Sequence, residues 1–379
     1  MNLRRLAALI FCCVLLTGCQ VQAAPALPSE TSLPLETVTP TTEPEPVTEP
    51  GMNIVVDGDT LPSGSLLADG VTYVKAEEFL PALDDGTVSG NNAEGFILTL
   101  EGRTIQYGPQ RPARTIQGAL WIPLWLTCRE LDISILNDYE QGILYCTSGI
   151  FEWNLPQGIR VPVLMYHAVD SNVWGYRDLF VNPEVMEEHL KYLVDNGYDP
   201  IFFEDLNHVE QYDKPVILTF DDGYLDNYEN LYPLLEKYQV KATIFVVTSS
   251  IGRYETSMVP EQVKELSDSG LVSIQSHTVS HSVLRELSPE EQAEEMRQSR
   301  LEVARMTGYE PFVISYPTGA YNEDTLEWAA EYYDFAVTVE PGDYVTGDDP
   351  WAIPRYNIRR TTTLEELAQM LSRAGERVA

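Results

Sequence analysis

Val216-Ile-Leu-Thr-Phe-Asp-Asp-Gly223 decides how the second half of the chain folds. Val216 to Phe220 is apolar apart from Thr219 and rich in β-branched residues, and it stops abruptly on a turn-forming Asp-Asp-Gly. It therefore reads as a strand that delivers two carboxylates at its carboxyl end. Similar runs lie on either side, at Val161 to Tyr166, Pro200 to Phe203, Ala242 to Val247, Leu271 to Gln275, Phe312 to Tyr316, Phe335 to Val339 and Ile353 to Ile358. Between them, helical periodicity is expected over Pro183 to Asn196, Leu225 to Tyr238, Pro260 to Ser269, Ser288 to Met306, Asn322 to Glu331 and Leu364 to Ala374. Ser288 with Pro289 and Glu291 forms a capping-box signature, and Gly308 supplies a stop. Strands alternating with helices from Leu155 to the C-terminus predict an α/β domain with a parallel sheet, open or closed into a barrel.

The chemistry-bearing side chains fall where such a fold builds active sites. Asp221-Asp222 follows one strand, His277 follows Val272-Ser-Ile-Gln-Ser276, Tyr316-Pro317 ends Phe312 to Ser315, and His167 follows Val161 to Tyr166. In a parallel barrel these carboxyl ends share one face. An Asp-Asp-Gly taken alone is also an ordinary turn. His277-Thr-Val-Ser-His281 has the four-residue spacing that puts two imidazoles on one face of a helical turn, a frequent ligand arrangement. Two histidines and one carboxylate make a metal set with a position left open, which serves hydrolases and ferrous oxygenases alike. The second carboxylate favours hydrolysis, because attack of water on an amide needs a general base beside the metal.

Thr219-Phe-Asp-Asp-Gly223 and Ser276-His-Thr-Val-Ser-His281 resemble the first two motifs of the polysaccharide deacetylase family, the NodB-homology domain or carbohydrate esterase family four. The resemblance runs from about Val161 to the C-terminus. It implies a distorted barrel of about seven strands, with Asp221 as general base and Asp222, His277 and His281 as ligands. The metal it implies is usually zinc, with cobalt, nickel, manganese or ferrous ions able to serve. Two features depart from the commoner family pattern: Ser315 in Ser315-Tyr-Pro-Thr-Gly319 stands where Arg is usual, and no histidine follows His281. Pro162-Val-Leu-Met-Tyr-His167 resembles the branch acting on poly-N-acetylglucosamine and related wall glycans, which makes His167 the expected acid. Arg355, in Ile353-Pro-Arg-Tyr356, is the candidate for the missing guanidinium. The implied reaction is removal of N-acetyl groups from a cell-surface glycan, with Asp221 assisting attack of a metal-activated water and a backbone N–H, that of Tyr316, holding the oxyanion. Tyr224, Tyr316, Pro317, Tyr321, Trp174 and Trp351 are candidates to line the sugar site. His189 and His208 have no partner of ligand type in sequence and read as solvated. An O-acetyl esterase acting on xylan or another acetylated glycan, and a surface glycan binder without turnover, fit the same residues.

The N-terminal half supplies an address and a second domain. Arg4 and Arg5, an apolar run from Leu6 to Leu16 and Leu16-Thr-Gly-Cys19 have the parts of a secretory signal and resemble a lipoprotein signal, with Cys19 as the lipid-modified residue. Gln20 to Gly51 holds seven prolines, five glutamates and no Lys or Arg, the composition of a solvated tether. The expectation is an extracytoplasmic enzyme anchored to the bacterial membrane. From 52 to 150, short β-like runs such as Phe96 to Leu100 and Thr104 to Tyr107 predict a small α+β domain. Gly70-Val-Thr-Tyr-Val, with its following stretch to Leu83, recurs 48 residues later as Gly118-Ala-Leu-Trp-Ile with its stretch to Leu131. This half-repeat resembles the N-terminal-like domain of copper amine oxidases and, lacking histidine, is expected to be a spacer or wall-attachment unit. Cys128 and Cys146 remain as a disulfide or as two buried thiols. The net charge is −34, or −36 once Arg4 and Arg5 are gone (22 basic against 58 acidic), which excludes nucleic acid as a partner. Nothing suggests a nucleotide cofactor.

Overall fold

In the computed structural model, the described residues are 48–68, 71–83, 87–91, 95–100, 103–107, 113–116, 118–131, 133–148, 153 and 155–378. Residues 1–47, with Cys19 and most of the expected tether, lie outside them. The last residues of that expected tether, Thr48–Pro50, pair as a strand with Ser65–Ala68.

The C-terminal part is an α/β barrel. Strands β1 (Arg160–Tyr166), β2 (Pro215–Phe220), β3 (Ala242–Val246), β4 (Val272–Ser276), β5 (Val313–Ser315) and β6 (Phe335–Val337) lie side by side in chain order, all parallel. The segment 353–358 is the seventh stave. Ile353 bridges Val337 of β6, and Tyr356–Asn357 (β7) pairs in parallel with Leu164 and Met165 of β1, closing the circuit into a distorted barrel. Every residue of β2 and β3 is buried, which is why those strands are near-continuous apolar runs rather than alternating ones.

Helices α1 (Pro183–Asp195), α2 (Tyr232–Tyr238), α3 (Pro260–Asp268), α4 (Pro289–Thr307), α5 (Glu323–Tyr332) and α6 (Leu364–Leu371) lie along the chain between and after the strands. The α4 start is the expected capping box: Glu291 N donates to Ser288 Oγ and Ser288 N to the Glu291 carboxylate, while Gly308 ends the helix at φ 86°. Two expected elements change form. Pro200 to Phe203 contributes only Asp199–Pro200 to a pairing with β2 and then enters a 3-10 turn, Glu204–Gln211. The expected helix from Leu225 opens as one π-turn, Asn227–Leu231, before α2.

The described residues of 48–147 form short sheets, antiparallel except where Ile143–Thr147 runs parallel to Asn53–Val56, with two helices, Ala76–Phe79 and Leu124–Leu131. The repeated units meet in space: Val71–Lys75 pairs antiparallel with Ala119–Pro123, each running directly into its helix. Cys128 and Cys146 are both buried and unbridged. This part is fixed to α4. Arg305 grips both carboxylate oxygens of Asp138 and reaches Glu140, Val55 and Tyr145 pack on Ala304, and a Cβ on Gly308 would come within 2.4 Å of the Gly58 backbone. No helix among the described residues is long and apolar enough to cross a membrane.

Candidate active site

The carboxyl ends of β1, β2, β4 and β5 converge, and hydrogen bonds between consecutive ends set their register. Asp221 N donates to Tyr166 O (3.0 Å) and His277 N to Val246 O (2.9 Å). Immediately after β2 the backbone turns through Asp222 (φ 78°) and Gly223 (φ 70°). A side chain on Gly223 would meet Val246 at 2.9 Å, so this sharp exit needs glycine. The left-handed turn at Asp222, costly for a non-glycine residue, lets adjacent carboxylates serve two different places.

Asp222 joins the histidines. Nε2 of His277 and Nε2 of His281 each lie 3.6 Å from Asp222 Oδ1, and the three groups form the one cluster of metal-binding type among the described residues. That separation is too long for a hydrogen bond, but bonds of about 2.0–2.1 Å around a tetrahedral ion would put ligand atoms about 3.3 Å apart. His277 Nδ1 lies 2.8 Å from the Ser315 carbonyl, so it carries the proton and Nε2 presents a lone pair to the shared centre. The residues fit a divalent ion. They do not lie on a helical turn, as the spacing suggests: the loop from 277 to 281 is irregular, with Thr278 (φ 65°) and His281 (φ 59°) left-handed. Tertiary contacts, not helical periodicity, bring the two imidazoles together.

Asp221, the residue before the Asp222 ligand, sits in a buried cage of its own beside that cluster. Arg355, wholly buried, donates from Nη1 to Oδ1 and from Nη2 to Oδ2, both at 2.8 Å. Its other donors go to Thr219 Oγ1 (3.0 Å), Ser315 Oγ (3.0 Å) and Thr338 O (2.8 Å), and Ser315 Oγ donates onward to Asp221 Oδ2 (3.2 Å). All five guanidinium N–H groups are used. Burial pushes the Asp221 carboxyl up, but the Arg355 charge and hydrogen bonds outweigh it and hold it well below the usual carboxylate range. Ser315 thus occupies a position next to a guanidinium delivered from a different stave, 353–358.

His167, at the end of β1, feels Asp221, Asp222, Arg355 and His277. Burial lowers its pKa, while the two carboxylates pull it back up, and its Nδ1 is buried without a protein partner. The segment it begins is clamped by residues that the sequence alone did not single out. Asn227 Nδ2 donates to His167 O (2.9 Å), Asn230 Nδ2 to Val169 O (2.8 Å), and Val169 N donates to Asp226 Oδ1 (2.7 Å). The usable signal was the set of small polar residues at 226, 227 and 230 directly after the Asp-Asp-Gly turn, which helical periodicity assigns to a solvated face.

The aromatic candidates separate. Tyr316 is buried, its hydroxyl donates to Trp351 O and its N–H donates to Val337 O, so that N–H is not available to an oxyanion as expected. Pro317 is buried and Tyr321 packs on Tyr316. Trp351 is half-buried with Nε1 donated to Tyr333 O. Trp174 is 42% exposed and meets Tyr224 edge-on at 4.7 Å, and Tyr224 lies beside Asp222. His208 is exposed, but His189 is buried, its Nδ1 3.2 Å from the Tyr166 hydroxyl, correcting the solvated reading. Its position on the inner face of α1 outweighs its polarity.

Residues 208–335 match the family model for polysaccharide deacetylase. YxkH of Bacillus subtilis (strain 168), itself assigned as a polysaccharide deacetylase, is 38% identical over 205 residues, which cover 52% of this chain and 71% of that protein. The chain belongs to the polysaccharide deacetylase family. As such it is an enzyme acting on carbon–nitrogen bonds of linear amides. This deacetylase is also 30% identical to the Streptococcus pyogenes deacetylase PplD, solved with acetate, over 56% of this chain and 99% of that one, with a TM-score of 0.53. The poly-beta-1,6-N-acetyl-D-glucosamine N-deacetylase of Escherichia coli (strain K12) is 26% identical over 261 residues, 56% of this deacetylase but 39% of that longer protein.

Proposed function

We propose that the chain removes N-acetyl groups from N-acetylglucosamine units of a cell-surface polysaccharide of the peptidoglycan or poly-N-acetylglucosamine type. The observation that carries this reading is the placement of a caged carboxylate, Asp221, directly beside the Asp222, His277 and His281 cluster. Those three residues would hold a divalent ion, zinc first among the candidates, which supplies Lewis acidity toward the acetamide carbonyl and the attacking water. Asp221, kept ionised and oriented by Arg355, accepts the proton of that water. His167, across the same face, returns a proton to the departing amine nitrogen, leaving glucosamine and acetate. Trp174 and Tyr224 give a sugar ring an apolar edge beside the reacting group.

Cys19 is read as the lipid-modified residue that anchors the enzyme outside the membrane, and residues 52–150 as a spacer or wall-attachment unit of the kind found in copper amine oxidases. A Cys19→Ala chain that leaves the membrane fraction supports that address; one that stays there refutes it. For the activity, acetate release is measured from peptidoglycan, chitin oligomers, poly-N-acetylglucosamine and acetylated xylan, before and after chelation. Release from the N-acetylated glycans that chelation and Asp222→Ala abolish is expected. Release from xylan alone would make the chain an esterase, and none from any substrate would make it a binder.

A further inference from the structure

The two histidines of the cluster depend on a loop that is not in its lowest-energy backbone conformation. Left-handed Thr278 and His281 are strained for residues with a side chain and persist only where surrounding contacts fix them. Some of those contacts are local. Thr278 N donates to Ser276 Oγ (3.2 Å) and His281 N to Thr278 Oγ1 (3.1 Å), while Thr248 N and Ser249 N donate to the carbonyls of Thr278 and Val279. The remaining two N–H groups between the ligands turn outward, and both go to one side chain. Val279 N (3.0 Å) and Ser280 N (2.9 Å) donate to one oxygen of Glu295, and Ser280 Oγ (2.7 Å) donates to the other.

Glu295 stands on α4, which is tied to the end of β4 by Ser299 Oγ and Ser276 Oγ at 2.7 Å. The carboxylate therefore couples a rigid helix to the span between the ligands. A carboxylate that accepts three hydrogen bonds dictates where its donors sit; an amide of the same size keeps an oxygen for the two backbone donors but loses the charge and meets Ser280 Oγ only if that hydroxyl turns to accept.

We infer that Glu295 is the positioning residue of the metal centre, setting the separation of the His277 and His281 Nε2 atoms without touching ion or substrate. The inference rests on the reading of Asp222, His277 and His281 as a metal site. Its test uses the full chain, stripped with chelator, as wild type, Glu295→Gln, Glu295→Ala and Glu294→Gln. Glu294, the neighbouring residue, bonds only Arg297 and Gln298 on its own helix. Zinc affinity is read by competition with a chromophoric chelator, cobalt geometry by visible absorption, and melting temperature with and without zinc.

Wild type and Glu294→Gln should bind one ion with the same affinity. Glu295→Ala should bind roughly 10- to 100-fold more weakly, the usual effect of losing a partner that orients ligands, and Glu295→Gln severalfold more weakly, each with an altered cobalt spectrum and a smaller zinc-induced rise in melting temperature. A lower melting point of the metal-free variant with affinity within twofold of wild type would overturn the inference and leave Glu295 merely structural. Absence of binding by wild type would instead overturn the metal reading itself, and the inference with it. If Glu295→Ala fails to fold, Glu295→Gln alone decides the question.

Discussion

Removing the Arg355 guanidinium should damage the protein in a way that its position off the metal cluster would not suggest. Arg355→Met preserves length and apolar bulk but strips five hydrogen bonds and leaves Asp221, 3% exposed, as an uncompensated buried carboxylate. Breaking one side of such a pair costs about 3–5 kcal/mol. At roughly 2–4 °C per kcal/mol for a domain of this size, the melting temperature should fall by roughly 6–20 °C. Asp221 should also lose its orientation, and acetate release should drop at least ~100-fold, the scale expected for a misplaced base. Lysine does not restore it, because one ammonium cannot span both oxygens and also reach Ser315 Oγ and Thr338 O. The diagnostic comparison is Asp221→Asn with Arg355→Met: with the stranded charge gone, the double variant should melt above Arg355→Met alone while remaining inactive. A single variant melting within 2–3 °C of wild type, or a double variant no more stable than the single, would refute the charge-cage reasoning.

Three further outcomes are expected. Burial holds His189 at a pKa of about 4, below its usual value near 6.5, so its contribution to stability is present above pH 6.5 and is lost as pH falls toward 4. Chemical denaturation at pH 7 and pH 4.5 should show His189→Gln losing less stability than wild type on acidification, by up to about 3 kcal/mol. An unchanged difference would place the imidazole in solvent. Trp174→Ala should raise KM for glycan oligomers roughly 5- to 10-fold with kcat within twofold and melting unchanged, since the ring is 42% exposed and packs only at its edges on Phe180 and Tyr224. Equal KM values would remove it from the sugar site. Asn227→Ala removes the donor to His167 O and should cost about 1 kcal/mol in stability yet lower kcat more than tenfold, with KM little changed; steady-state kinetics beside a melting curve separates the two effects.

The barrel was legible because parallel strands buried on both faces leave continuous apolar runs, and β2 and β3 are such runs in full. The strand-end positions of Asp221, Asp222, His277 and His167 followed, since a residue that directly succeeds such a run stands at the carboxyl face. Chain order also disclosed the half-repeat, whose strands the fold then lays side by side. What pattern reading could not reach were contacts between residues far apart in sequence. Arg355, named only through the family resemblance, does meet Asp221, but across 134 positions, because 353–358 closes the barrel between β6 and β1 and no local pattern carries that contact. His277 and His281 converge through left-handed backbone held by α4, not through the helical spacing they display. His189, polar and apparently free, is turned inward by the face of α1 on which it falls. Local periodicity and strand ends are written in neighbouring residues and can be read from them. Which guanidinium balances which buried carboxylate depends on how the staves close, and that exists only once the barrel has formed.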